Sequence, residues 1–262
     1  MPTKSTLLQR LNEIGQSLEN SGKALALLGL GSVGNETDRL DEYSDLDFFV
    51  IVQSNQKQLF LESLWWLESV KSINYKVRNT VDGYKALMSD GIFCEFAVFE
   101  VHELEGIPFS EGRVIWQDKD FDANVCTPKN CPAEAEPHNI DWVLGEALTN
   151  LYVAICRFNR GEKLSAMRFC QSFALDRLID LVNKTEKPQC ESIDLFVADR
   201  RLEQRYPNFA NLLPTFAQGY QNTPQSILAQ LGFLETHFKV NSSMSSLIID
   251  LCKTEPRTVN TN

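Results

Sequence analysis

Near the N-terminus, two short groups of residues carry the types and spacing needed for chemistry. The first is Gly31-Ser32, closing the apolar run Ala24 to Leu30, and the second is Asp45-Leu46-Asp47, opening the apolar run Leu46 to Val52. Successive residues of a strand point to opposite faces, so Asp45 and Asp47 share one side while Leu46 enters the core. Two carboxylates held side by side repel unless a cation lies between them, which makes the pair a ready site for magnesium. A glycine lets the backbone approach a phosphate closely, and a serine at a helix start offers a hydroxyl and an amide to a phosphate oxygen. The turn suits phosphate and the acids suit a metal.

A competing reading of the same glycines fails on its own requirements. Gly29, Gly31 and Gly34 spell G-x-G-x-x-G after an apolar strand, the pattern of a dinucleotide-binding turn. That turn needs an apolar helix opening at the third glycine and an acid at the end of the next strand to hold a ribose. Here Gly34 is followed by Asn35, Glu36, Thr37, Asp38 and Arg39, without helical apolar spacing, and the acids begin the next strand.

The elements that must position these groups are legible as patterns. Leu7, Leu8, Leu11, Ile14 and Leu18 recur at helical spacing, and Ala24–Leu30 and Leu46–Val52 read as buried strands. Gln58 to Val70 has helical spacing, with Trp65 and Trp66 expected in the core rather than as a stacking box for a ligand. Tyr84–Met88 and Ile92–Val101 read as strands joined by a Ser-Asp-Gly turn. From Phe121 to Asn139 the composition shifts to Pro, Asn, Asp and Glu, which marks a linker. Beyond it strand signals vanish, and Ile140–Phe158, Leu164–Val182, Ile193–Arg205 and Pro224–Phe238 each show helical spacing. The expected fold is α+β: a mixed sheet with flanking helices over residues 1–125, a linker at 126–139, a helical bundle over 140–252, and a frayed tail at 253–262.

With those elements in place, the residues resemble the nucleotidyltransferase superfamily of DNA polymerase beta and the antibiotic adenylyltransferases. The shared signature is an apolar residue, Gly-Ser or Gly-Gly, a gap of about a dozen residues, then Asp-x-Asp or Asp-x-Glu; here these are Leu30, Gly31-Ser32, the stretch Val33 to Ser44, and Asp45-Leu46-Asp47. The second half is similar to the helical domain of bacterial aminoglycoside and lincosamide nucleotidyltransferases, through Arg157 to Glu162, Ala166 to Arg168, Asp194-Leu195-Phe196 and Arg200 to Pro207. The resemblance implies transfer of a nucleoside monophosphate, from ATP by expectation, to a hydroxyl of a small acceptor of the aminoglycoside or lincosamide kind, with magnesium and release of pyrophosphate. The acceptor is expected in a cleft between sheet and helices.

Two-metal phosphoryl transfer calls for a third acid on a neighbouring strand. Glu95 is the single charge inside the apolar run Ile92 to Phe99 and is the choice, with Glu100 as the fallback; the bland alternative makes Glu95 a water-facing residue of an edge strand. Asp45, Asp47 and Glu95 are thus the expected metal ligands. Arg160, Lys163, Arg168, Arg200 and Arg201 are candidates to receive the triphosphate, although a surface ion pair is the commoner fate of any one of them. Glu146 stands where related enzymes place a carboxylate that accepts the proton of the acceptor hydroxyl. Two other readings stay open: AMP transfer to a protein, as in small nucleotidyltransferase antitoxins, and a nucleotide-binding module without catalysis.

Composition narrows the partners. With 262 residues, 43% hydrophobic and 23% charged, the chain can bury a sizeable core, and its net charge of -10 argues against broad binding to nucleic acid. Seven cysteines without repeated spacing argue against a disulfide framework, and Cys126, Cys131 and His138 lack a fourth ligand and a usual zinc spacing. The amphipathic start, Met1 to Gly22, is unlike a signal peptide, and no apolar run is long enough to span a bilayer, so a cytoplasmic protein is expected. The oligomeric state is left open, a homodimer included.

Overall fold

The computed structural model describes residues 2–130, 139–190 and 199–254, and the chain divides into two compact units, Met1–Ala133 and Glu134–Asn262. In the first unit, helix α1 (Lys4–Ser21) starts at Thr3, whose side chain accepts from the Thr6 amide. It stops at Gly22, whose φ of 62° and N–H bond to the Glu19 carbonyl form a left-handed cap. The strands that follow are β1 (Ala24–Gly29), β2 (Leu46–Val52), β3 (Ile73–Arg78), β4 (Gly83–Met88), β5 (Phe93–Glu100) and β6 (Arg113–Gln117). They form one mixed sheet in the order β3-β4-β5-β2-β1-β6, in which β2 and β5 are parallel and every other neighbouring pair is antiparallel.

Alternation along the strands divides the sheet into two faces. Leu46, Phe48, Val50 and Val52 of β2, with Cys94, Phe96 and Val98 of β5, pack under Leu7, Leu11, Ile14 and Leu18 of α1. Each such fully buried aliphatic or aromatic side chain contributes roughly 1.5–3 kcal/mol. Phe48 stacks on Phe96 at 5.3 Å between ring centres, and Trp66 meets both edge-on. On the opposite face, Ala26, Leu28, Ile51 and Phe99 form a smaller cluster with Leu104, Phe109 and Cys126. That cluster belongs to β1 and to the far ends of β2 and β5, so the near end of β2, with Asp47, lies beyond it.

Several elements differ from the sequence reading. The expected helix Gln58–Val70 is two short helices, α2 (Lys57–Glu62) and α3 (Trp65–Glu68), separated where Ser63 turns extended at φ -139°. The buried Trp66 holds the break, its indole N–H donating to the Phe60 carbonyl at 3.2 Å. Strand β3 carried no apolar signal because it is the outer edge, exposed along almost its whole length. Strand β6, at the other edge, was also missed. Glu95 does not lie on an edge strand, since β5 is paired on both sides. Cys126, at the expected start of the linker, is packed into the first unit's core. Cys131 and His138 fall outside the described residues.

Among its described residues the second unit consists of helices joined by turns and loops. Helix α4 (Ile140–Asn159) begins at Asn139, whose side chain accepts from the Trp142 amide. Helix α5 (Lys163–Arg168) runs through a π-helical stretch, Phe169–Ala174, into α6 (Leu175–Thr185). The stretch is held by the buried Gln230, which donates to the carbonyls of Cys170 and Phe216, both at 3.0 Å. Short turns α7 (Leu202–Arg205), α8 (Pro207–Ala210) and α9 (Leu213–Phe216) lead to α10 (Thr223–His237) and α11 (Ser242–Cys252), the last of which sequence patterning missed. Of the stretch Ile193–Arg205, expected as a helix, residues 193–198 lie outside the described residues; its end is α7, preceded by a turn at 199–201. No helix among the described residues is long and apolar enough to cross a membrane.

Candidate functional site

Gly31, Ser32 and Val33 form a single turn of 3-10 helix between β1 and the loop to β2. The turn packs too tightly for other residues at its flanks. A side chain on Gly34 would lie 2.6 Å from the Gly29 carbonyl oxygen, and one on Gly29 would lie 2.7 Å from that of Val33. Arg113 of β6 clasps the turn from outside, donating to the carbonyls of Gly34 at 3.3 Å and Val33 at 3.2 Å. The Leu30 amide donates to the Asp47 carbonyl at 2.8 Å, so the turn is tied directly to the acid-bearing end of β2. No helix opens at Gly34, and β1 and β2 are antiparallel, which excludes the parallel strand-helix-strand unit of the dinucleotide turn.

Gly31 differs from its neighbours in being open. Its φ is +51°, in the region that favours glycine, and a Cβ there would meet only Arg39 Nη2 at 3.7 Å and Asp47 Oδ2 at 3.9 Å. The turn, the Arg39 guanidinium and the Asp47 carboxylate thus border one small space. Arg39 was not singled out from sequence. It stands in the polar gap between the two signatures and its side chain is only 9% exposed, paired with Glu36. A lone basic residue inside that gap was the signal available. Ser32, second in the turn, is half-buried.

The parallel register sets Asp47 directly opposite Glu95, and the antiparallel register sets Glu95 opposite Lys85 of β4. The three form one row across the face that carries Phe49 and Ala97 rather than the face under α1. Asp45, two residues before Asp47 and just ahead of the strand, is half-buried on the same side. Lys85 Nζ lies 2.9 Å from Glu95 Oε2, and Asn79 Nδ2 donates to Glu95 Oε1 at 3.0 Å. The Glu95 carboxylate beside it raises the Lys85 ammonium above its ordinary value, helped by the charges of Asp45 and Asp47.

Glu100 stands apart from this row. It is opposite Val52 at the other end of β5, five residues and roughly 16 Å along the strand from Glu95. Its carboxylate accepts from the Asn55 amide at 2.8 Å and caps the short turn Val101–Glu103, a structural use. Among the described residues, no three His, Cys, Asp or Glu side chains come close enough to hold a metal ion together. Asp45 and Asp47 are two hard carboxylates on one side of the strand start, donors of the type that could hold magnesium when phosphates and water complete its shell.

The remaining predicted residues belong to the second unit. Glu146 is half-buried on α4. Arg160 caps α4 and pairs with Glu162 at 3.5 Å, and Lys163 sits over the Phe158 ring at 5.4 Å. Arg168 is exposed at the end of α5; Arg200 is exposed, and Arg201, at φ 56°, precedes α7.

No protein-family model matches the chain, and no curated protein sequence matches it. Among solved structures it is similar to an aminoglycoside 6-adenyltransferase from Bacillus subtilis, at 12% identity and a TM-score of 0.35, over 98% of this chain and 94% of that one. A spectinomycin adenyltransferase from Enterococcus faecialis, solved with ATP and spectinomycin, is 12% identical with a TM-score of 0.32, over 93% of this chain and 97% of that one. A nucleotidyltransferase-like protein from Exiguobacterium sibiricum is 15% identical with a TM-score of 0.32, over 87% of this chain and 73% of that one. At such values the likeness is loose, and the chemistry is read from this chain's own side chains.

Proposed function

We propose that the first unit is the catalytic domain of a nucleotidyltransferase, which moves a nucleoside monophosphate from a nucleoside triphosphate, ATP first among them, to a hydroxyl of a small acceptor. The observation that carries this reading is the opening at Gly31, bordered by Asp47 Oδ2 and Arg39 Nη2 and tied to β2 through the Leu30 amide. A phosphate entering that space meets backbone without a Cβ in the way, a guanidinium able to donate to it, and the carboxylate pair. Asp45 and Asp47 would hold a magnesium ion, which when bound offsets triphosphate charge and orients the α-phosphorus.

The chain's own residues have three tasks in this scheme. Gly31 and Ser32 receive the phosphates, Arg39 opposes their charge, and Asp45 and Asp47 fix the approach on the open face of the sheet. The acceptor oxygen then attacks the α-phosphorus, the bond to the bridging oxygen breaks, pyrophosphate leaves, and the acceptor proton passes to a base. The acidic character of the chain is compatible with a cationic acceptor, such as an aminoglycoside.

The test is pyrophosphate release with magnesium, each nucleoside triphosphate and a panel of hydroxylated antibiotics. The Asp45→Asn/Asp47→Asn double variant should fall by at least about a hundredfold, because it removes the charged donors without altering side-chain volume. Equal release by wild type and double variant would overturn the proposal.

A further inference from the structure

We propose that Lys85 supplies, beside Asp47 and Glu95, the positive charge that a second metal ion would otherwise bring, so that the site takes one divalent cation, on Asp45 and Asp47. The inference rests on the nucleotidyl-transfer reading and specifies its metal requirement.

The starting point is the strand register. Asp47, Glu95 and Lys85 are consecutive cross-strand neighbours over β2, β5 and β4, so their Cα positions are fixed by the sheet rather than by a loop. A third carboxylate beside a carboxylate pair ordinarily serves to share a second cation. Here both oxygens of that third carboxylate already have donors, Lys85 Nζ at 2.9 Å and Asn79 Nδ2 at 3.0 Å. An ion on Glu95 would have to displace an ammonium on one oxygen and an amide on the other.

As a stabilising contact the Lys85–Glu95 bridge contributes little, because both side chains are about 40% exposed. Its significance lies in where it places a charge. Lysine carries that charge as a compact, rotatable ammonium on a flexible stem, able to follow a phosphate or an acceptor oxygen, and it is not lost to chelators.

Metal stoichiometry tests this in the full chain. Protein saturated with a non-hydrolysable α,β-methylene analogue of ATP is titrated with Mn2+, and the free ion is followed by electron paramagnetic resonance. Wild type should retain one Mn2+ per chain, Lys85→Arg should also retain one, and Lys85→Met should retain two. Because Lys85 is half-exposed, Lys85→Met should keep the fold, which circular dichroism checks. Two ions in wild type, or one in Lys85→Met, would overturn the inference while leaving nucleotidyl transfer standing. A wild-type retention no greater than that of Asp47→Asn would remove the metal site itself, and the inference with it.

Discussion

Replacing Gly31 by alanine separates two roles that a turn glycine can have. Its φ of +51° means that any Cβ there carries left-handed strain, of roughly 1–2 kcal/mol. The added methyl would stand 3.9 Å from Asp47 Oδ2 and 3.7 Å from Arg39 Nη2, contacts that are sterically ordinary in the folded protein. The stability loss should therefore be strain alone, a fall in melting temperature of about 2–4 °C for each kcal/mol. A phosphate, however, cannot share that space with a methyl. Losing one hydrogen bond to a charged group costs roughly 1.5–3 kcal/mol, which corresponds to about a tenfold to a hundredfold weaker nucleotide affinity. Gly91 provides the control: in the β4–β5 turn its φ is +87° and a Cβ would meet nothing within 4 Å. Gly91→Ala should lower the melting temperature by a similar amount and leave nucleotide binding unchanged. Isothermal titration with the methylene analogue, at a temperature where both variants are folded, reads the difference. Equal affinities for Gly31→Ala, Gly91→Ala and wild type would show Gly31 to be a turn residue only.

Two further outcomes are expected. Arg113→Met removes the donors to the Val33 and Gly34 carbonyls, leaving these groups without that partner at a cost of about 1–3 kcal/mol. Thermal melts and nucleotide titration should both fall, whereas an unchanged melt would show that the clasp is not needed. Burial pushes the Cys94 thiol up to about 12 from its ordinary 9.0. The folded chain then keeps a proton that the unfolded chain releases, so this contribution is full below about pH 9 and is lost as pH rises toward the folded value. Urea unfolding between pH 8 and 10.5 should show a shallower alkaline loss for Cys94→Ala than for wild type, and parallel curves would contradict the assignment.

What could be read from the sequence follows from which residues are buried on only one side. Leu7, Leu11, Ile14 and Leu18 announce α1 because one face alone is apolar, and β2 is legible because Leu46, Phe48 and Val50 alternate with Asp47 and Phe49. Strand β3 was illegible for the opposite reason. As an outer strand with Tyr75 and Val77 exposed, it has no buried side to impose a pattern, and its existence depends on backbone pairing with β4. The break at Ser63 and the π-helical stretch at Phe169–Ala174 were equally hidden, since each is held by a distant partner: Trp66 on the Phe60 carbonyl, Gln230 on that of Cys170. At the candidate site, Gly31, Ser32, Asp45 and Asp47 could be named because their neighbours in sequence are their neighbours in space. Asn79, Lys85 and Arg113 could not, because only the order of the strands brings them to the turn and the acids, whereas Arg39 is signalled only by being the lone basic residue in the gap between the two signatures.

The same contrast explains why the acids must open β2 rather than close it. The Gly31 turn follows β1, and β1 runs antiparallel to β2, so the end of β1 lies beside the start of β2: Gly29 is opposite Phe48, and Leu30 donates to Asp47. Acids at the far end of β2 would sit near Ala24, opposite Val52, on the wrong side of the sheet from the turn. The parallel pairing of β2 with β5 separates the two glutamates of β5 in the same way: Glu95, near its start, stands opposite Asp47, and Glu100, at its end, opposite Val52. A slip of one residue in that pairing would set Asp47 opposite Cys94 or Phe96, whose side chains belong to the core under α1. Burial of Leu46, Phe48 and Val50 on that face therefore fixes the register, and the register brings the Gly31 turn, the carboxylate pair and Lys85 to one end of one face of the sheet.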